Sequence, residues 1–427
     1  MIEDRADSSL ASGQWSMQSA RTASALPEEN RRPGAAEHFE LSRAPEDWTI
    51  PDLAGAGLTI FHSLAASEEI WQQASKTCSC SAFQTFEWVS TWFDTVGVAT
   101  GVNACLVHVT TRGGETLLLL PLALTLKGSV RSLEFLGGDL TDYNLPLINP
   151  KRAIGTIDMA RLWSNILARL PRVDLVRLTR MPLAFDGVPN PLASLPGLKP
   201  HTNAYGASLP DNFAAFAAAR STQFFSQNRR YRRRLEKIAP VRVAFPEAEA
   251  ERLAITRFLL EHKSRWQQAA GLSDTLAQDA RVAFYERMTG APMREGSISV
   301  AGLWVGDELV AGLWGVIFRG RYAFLITTYR ADWSRLSVGR LLIESVIQMC
   351  IARGDLTVFD LTVGEEGYKA DWADHTLPLY RYQAARTLRG RLILALWHAR
   401  ERVKGWPGLR RSVRAAATFR HRLRNRT

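Results

Sequence analysis

The sequence predicts a mixed α/β fold (an α+β mixed sheet) built as two successive lobes of one order: helices, a three-strand meander, a helix, a last strand. Three observations predict it. Glycine-bearing hairpin signals, Arg112-Gly113-Gly114 and Gly306-Asp307, each separate two apolar strand-like runs, one pair in each half. A third strand and then a long run with apolar residues near helical spacing follow each hairpin. Each half closes on a short apolar strand. A meander followed by a helical crossover to another strand gives a mixed sheet with helices on its faces, and such crossovers are right-handed.

The elements follow in order. Residues 1–50 are rich in Ser, Ala, Glu and Arg without periodicity and read as a disordered leader. In a first lobe over 51–210, Glu68–Lys76 and Glu87–Val96 read as helices, and Asn103–Thr110, Glu115–Leu126 and Ser129–Leu136 as the meander. Thr156–Leu170 is the crossover helix and Val173–Leu178 the last strand. In a second lobe over 211–385, Ala250–Gln268 and Leu276–Met288 are helices, with Ser297–Val305, Glu308–Phe318 and Arg321–Tyr329 as the meander. Leu336–Arg353 is a helix closed by Gly354, a residue suited to the left-handed turn past a helix end. Thr357–Leu361 is the final strand. Residues 386–427 form a basic tail whose first part reads as an amphipathic helix. The halves share no evident sequence identity, so the repeat is one of topology.

Charge and cysteine usage exclude several classes. The formal net charge is +11, but Arg386–Thr427 holds 13 Lys/Arg against one acid, so the body is near neutral. A uniformly basic nucleic-acid-binding body is excluded, and nucleic acid is not the expected partner. Cys78, Cys80, Cys105 and Cys350 make no zinc pattern and read as reduced thiols. No metal site is expected. The start Met-Ile-Glu-Asp does not read as a signal peptide. The longest apolar run, Leu117 to Leu126, is about half a membrane helix and contains Pro121. A cytoplasmic protein is expected.

Five segments carry candidate chemistry. In Val358–Trp372 a buried strand ends at Asp360, and a turn with Gly364 and Gly367 leads to Tyr368, Lys369 and Trp372. Ionisable groups at the carboxyl end of an inner strand are where open α/β sheets place ligands. There Asp360 reads as a base at the edge of a dry region, Tyr368 as an acid toward a leaving thiolate, and Lys369 as a holder of phosphate or carboxylate. The plainer account is a surface loop with an ordinary Glu/Lys mixture. In the second segment, Ser337-Val338-Gly339 opens a helix directly after a strand. Its free N–H groups suit a pyrophosphate, with Gly339 allowing close approach and Arg335 and Arg340 adding charge. The plainer account makes Ser337 an N-cap. In the third, Gly137–Asn144, a two-glycine turn brings Asp142 and Tyr143 toward a cleft between the lobes, or forms only a strand exit.

The fourth is the basic run Arg229–Lys237, which suits a nucleotide phosphate, RNA or anionic lipid, or is a solvated connector. The fifth is the tail. Leu392, Leu396, Ala399 and Val403 lie near one helix face among arginines. Such a helix lies on an anionic membrane or packs on its own domain. A Gly-x-Ser-x-Gly elbow, a P-loop, a zinc helix and a dinucleotide fingerprint are absent from the sequence.

With these residues in place, the chain resembles the CelD/BcsL-type GNAT acyltransferases, named after a role in bacterial cellulose biosynthesis and related to the FemAB-type peptidyltransferases with a duplicated GNAT fold. The matching residues are Phe83–Trp88 with Trp92, Gly137-Gly138 with Asp142-Tyr143, an arginine-rich helix at 229–234, Ser337-Val338-Gly339, and Asp360 with Gly364-Glu365, Tyr368-Lys369 and Trp372. They span residues 80 to 385. The family commonly has Ser-Pro-Gly where this chain has Ser-Val-Gly. The resemblance implies tandem GNAT-like lobes and acyl transfer from acetyl-CoA or another acyl-CoA, without a metal, to an amine or hydroxyl, linked to exopolysaccharide synthesis. Ser337, Val338, Gly339, Arg340, Arg335 and Lys369 then hold the donor. Asp360 or Glu365 is the base, Tyr368 the acid, and Asp142 and Tyr143 face the acceptor, a small or saccharide-linked molecule. The alternatives are a FemAB-like transferase using aminoacyl-tRNA, and a non-catalytic accessory of polysaccharide assembly held at the inner face of the membrane by its tail.

Overall fold

The computed structural model of the protein describes residues 46–50, 55–152, 156–271, 273–274, 276 and 278–405. Most of the expected leader and the tail beyond residue 405 lie outside the described residues. The leader's limit at residue 50 is corrected, because Glu46–Ile50 is a strand, β1, paired antiparallel with the next.

Lobe one comprises β2 (Ala56–Phe61), α1 (Leu64–Thr77), α2 (Phe86–Trp92), β3 (Asn103–Thr110), β4 (Thr116–Lys127), β5 (Val130–Phe135), β6 (Leu147–Ile148), α3 (Thr156–Arg169) and β7 (Leu175–Pro182). A small hairpin, β8 (Ala184–Phe185) and β9 (Val188–Pro189), leads to β10 (Lys199–Ser208), α4 (Phe213–Ala218) and α5 (Thr222–Glu236). Lobe two repeats the plan with β11 (Val241–Ala244), α6 (Glu249–Ala269), α7 (Asp279–Gly290), β12 (Ser297–Val305), β13 (Glu308–Phe318), β14 (Arg321–Tyr329), α8 (Val338–Arg353) and β15 (Val358–Val363). It ends in β16 (His375–Ala385) and α9 (Leu388–Gly405). The punctuation read from the sequence works as expected: Gly306 at φ 60° turns the β12–β13 hairpin, and Gly354 at φ 73° ends α8.

One sheet runs through both lobes in the order β1-β2-β3-β4-β5-β7-β16-β10-β15-β14-β13-β12-β11, with β6 beside β4. The lobes exchange their closing strands. β10 follows lobe one in sequence but pairs with β15 of lobe two, whereas β16 follows lobe two and pairs with β7 of lobe one. β10 and β16 also pair with each other. The division at residue 210 therefore separates the lobes along the chain and not in space. On one face, the helices of both lobes bury a common core, in which Trp88 of α2 meets Phe284 of α7 with ring centroids 5.0 Å apart. On the other face, α3 covers lobe one, and α8 with α5 covers lobe two. No helix among the described residues is long and apolar enough to cross a membrane.

Candidate active site

Strands β14 and β15 are parallel neighbours over only three pairs, Arg321 with Val358, Tyr322 with Phe359 and Ala323 with Asp360. Beyond Ala323 the pairing stops. The β13–β14 register also shifts there, from Gly315 opposite Phe324 to Trp314 opposite Ile326, so Leu325 is a bulged residue with no partner in β13. On the far edge of β15, β10 shifts register between Tyr205 and Gly206. Thr362, a β-branched residue, is held there at φ 57°, a strained conformation of the kind that collects at functional sites. Its hydroxyl donates across the split to the Phe324 carbonyl, 3.0 Å away. The parted strands open a cleft of about 200 Å³, walled by Leu325 and Thr327 on one side and Leu361–Val363 on the other.

The matching split in lobe one is filled. β5 and β7 pair at two positions, Ser132 with Leu175 and Leu133 with Val176. The loop after β5 then occupies the gap. The Asn144 backbone N–H donates to the Arg180 carbonyl and its amide to the Thr179 carbonyl, both at 3.0 Å. The Arg180 guanidinium holds the loop from the other side through the carbonyls of Asp139 at 3.0 Å and Thr141 at 2.7 Å. Gly137 makes this path possible: at φ +98°, a Cβ there would lie 2.0 Å from Thr141 Oγ1. The plugged loop presents Asp139 and Asp142 to the open cleft of lobe two.

Four of the residues singled out in the sequence meet at or beside this cleft. Asp142 lines it, 3.2 Å from Arg180 Nη1. Burial pushes its carboxyl above the usual range, against the opposing pull of Arg180 and Lys369. Tyr368 lines the opposite wall, and burial together with the Glu366 charge raises its hydroxyl well above the ordinary tyrosine value, so it keeps its proton. Lys369 also lines the cleft, but its Nζ donates to the Val363 carbonyl at 2.7 Å and pairs with Glu366 Oε2 at 3.1 Å. With a side chain this fully engaged, the expected role of anion holder is corrected to that of a brace for the turn. Tyr143 lies behind the cleft, 2% exposed.

Asp360 is corrected as base. It is 1% exposed, Oδ1 accepts from Tyr143 Oη at 2.6 Å and from the Thr362 N–H at 2.8 Å, and Oδ2 accepts from Arg321 at 3.1 Å. Arg321 also pairs with Asp186 at 2.6 Å. The carboxylate thus joins the lobes through a buried network rather than facing a substrate. Burial and the Asp360 charge hold the Tyr143 hydroxyl protonated. Glu365 is also corrected. It is exposed, and its neighbour Glu366 lines the cleft instead, curling back over Gly364, which sits at φ 132°.

The sequence reading missed Lys263. It lines the cleft from α6 with its Nζ 4.4 Å from the Trp266 ring centroid. Burial lowers its pKa, with the Glu366 charge opposing. The signal was present: Ile255, Thr256, Leu259 and Leu260 form the buried stripe of α6, and Lys263 continues it one turn on.

The start of α8 stands one loop from the cleft wall. Ser337 takes φ 50° and gives no side-chain cap, so it is not the capping residue of the plainer account. Val338 is fully buried. Gly339 is corrected: a Cβ there would lie 2.9 Å from Tyr329 Cδ1, so the glycine admits the Tyr329 ring rather than a ligand. Arg340 donates to the Phe224 carbonyl at 2.6 Å and stacks on the Phe224 ring at 3.4 Å, facing α5. Arg335 is exposed. Tyr329 and Tyr368 both pack on the apolar cluster that contains Val338, which places the helix start and the Tyr368 turn around one core.

This architecture is a GNAT-like fold in tandem. Residues 223–370 match the family described as an acetyltransferase (GNAT) domain. The fold is similar to the crystal structure of FemX, with a TM-score of 0.54 at 9% identity over 76% of this chain and 96% of that one. Two further solved structures also align. One is a tandem GNAT protein from the clavulanic acid biosynthesis pathway, with TM-score 0.43, 13% identity and 77% and 99% coverage of this chain and that one. The other is the C-terminal domain of a putative lysylphosphatidylglycerol synthetase from Agrobacterium fabrum, with TM-score 0.46, 12% identity and 78% and 96% coverage. At 9% identity the likeness to FemX is one of fold. No curated protein matches the chain.

Proposed function

We propose that the chain is an acyltransferase (EC 2.3.1) that moves an acyl group from an acyl-CoA, acetyl-CoA in the simplest case, to an amine or hydroxyl acceptor held between the lobes. The observation that carries this reading is the open split between β14 and β15, with Asp142 and Tyr368 on its walls. A bound acyl-CoA supplies the acyl group as an activated thioester. The residues fit such a group. The bulged Leu325 leaves backbone without a β13 partner beside the cleft, suited to orient a carbonyl oxygen. The start of α8 has no side-chain cap, which suits a pyrophosphate. Asp142 accepts the acceptor's proton as the new bond to the acyl carbon forms. The carbon–sulfur bond breaks, and Tyr368 donates its proton to the departing thiolate. Arg180 fixes Asp142, and Lys369 and Glu366 hold the Tyr368 turn. Placement of the two reactants and proton removal supply most of the rate.

The closer kinship with the CelD/BcsL type belongs to this proposal and rests on the residues quoted for it, as does a link to cellulose or other exopolysaccharide synthesis. A second reading, a transferase using aminoacyl-tRNA, is favoured by α5. Arg229, Arg230, Arg233 and Arg234 are exposed on it, and α5 packs on the Ala331–Leu336 turn that enters α8.

Titration calorimetry separates the two. Acetyl-CoA is expected to bind with Kd between about 1 μM and 1 mM. No heat at millimolar ligand, together with tRNA binding that weakens steeply with salt, would establish the second reading instead.

A further inference from the structure

Helix α9 packs on its own domain by one face and leaves a second face open to solvent. Its inner face is docked on lobe one. Thr387 donates from its hydroxyl to Asp174 Oδ1 at 2.6 Å and accepts the Gly390 N–H at 3.1 Å. Gly390 lies so close that a Cβ would be 2.0 Å from the Asp174 carbonyl oxygen. Arg389 donates to the Ser129 carbonyl at 2.7 Å, and Arg177 stacks over the Trp397 ring at 4.6 Å. The docking fixes which way the rest of the helix faces. Leu388, Leu392 and Leu396, at successive turns, point outward with relative exposures of 80%, 63% and 60%. Arg391 and Arg400 are exposed on the same helix. The sequence from Glu401 to Thr427 adds nine Lys/Arg against one Glu.

We infer that the outer face of α9 is a docking surface for an anionic phospholipid bilayer. A leucine stripe flanked by arginines is the pattern of a helix that lies in the interface, with its apolar side chains below the headgroups and its cations among the phosphates. Charge decides between the occupants. A second copy laid on the same stripe would bring two strongly basic segments together, whereas an anionic bilayer neutralises them. Nucleic acid would satisfy the arginines and leave the leucines in water. The first turn is anchored at Ser129 and Asp174, which precede β5 and β7. The cleft residues Asp139 and Asp142 follow the opposite end of β5, so the docking leaves the cleft uncovered.

The test is vesicle flotation of the full chain at 150 mM salt, with phosphatidylcholine alone and with one quarter phosphatidylglycerol. The wild-type chain is expected to partition at least about tenfold more strongly onto the anionic vesicles. The triple variant Leu388→Ser, Leu392→Ser, Leu396→Ser should lose at least about tenfold of that partition. Its Tm should be unchanged, because these side chains are already in water. Absence of flotation, or flotation of the triple variant equal to wild type, would overturn the inference. A dimer in light scattering that the triple substitution dissolves would assign the stripe to a second copy and overturn it equally.

Discussion

Asp142→Asn is expected to lower kcat by about 10²–10⁴-fold with little change in KM for the acyl donor, the usual cost of removing a general base. The amide keeps the shape and still accepts from Arg180, so the folded cleft should persist. The pH profile gives an independent check. Burial raises the Asp142 carboxyl, and in the proposed step its working form is the carboxylate. The rate should therefore rise with pH through that raised pKa, with the acid limb displaced upward from that of an ordinary Asp. Arg180 opposes the rise, so Arg180→Ala should move the limb further toward alkaline pH. Thiol release from acetyl-CoA followed across pH reads both effects. Full activity in Asp142→Asn would move the base to another group, with Glu366 next in line.

The second large effect is on stability. Asp360→Ala is expected to cost about 3–5 kcal/mol in urea unfolding, because it removes the buried acceptor shared by a mostly buried guanidinium and the buried Tyr143 hydroxyl. Arg321 retains Asp186, but Asp186 is the more exposed partner, at 42% against 1% for Asp360. Tyr143→Phe, which removes one donor and leaves the ion pair, should cost only about 1–2 kcal/mol. If Asp360→Ala unfolded like wild type and lost only rate, the carboxylate would be catalytic and the assignment to the inter-lobe network wrong.

Much of this fold is written in local signals. Gly306-Asp307, Gly354 and the spacing of apolar residues in α3 and α8 act over a few residues, and those elements stand where the sequence puts them. β10 and β16 escaped because neither carries a strand signal of its own. β10 is polar with Pro200 near its start, β16 contains Pro378, and their places at the centre of the sheet come from pairing with strands far along the chain. The site divides in the same way. Gly137-Gly138 with Asp142 was legible as a loop beside a cleft, because glycine requirements are local. Asp360 was legible only as a carboxylate at a strand end. Whether such a group is a base or half of a buried pair depends on Tyr143, 217 residues away, and on Arg321. Glu365 and Glu366 exchange roles through the backbone at Gly364, whose φ of 132° no residue count reveals. Lys263 continues an apolar stripe, and its place in the cleft depends on how α6 packs across β13 and β14.

Hydrogen exchange with and without acetyl-CoA tests the donor cleft most directly. Saturating acetyl-CoA is predicted to slow exchange in peptides covering Leu325–Thr327 and Leu361–Val363, the two walls of the open split, and to leave the plugged split at residues 133–136 and 176–181 unchanged. Protection confined to the lobe-one peptides, or none in either split while the ligand is bound, would contradict it.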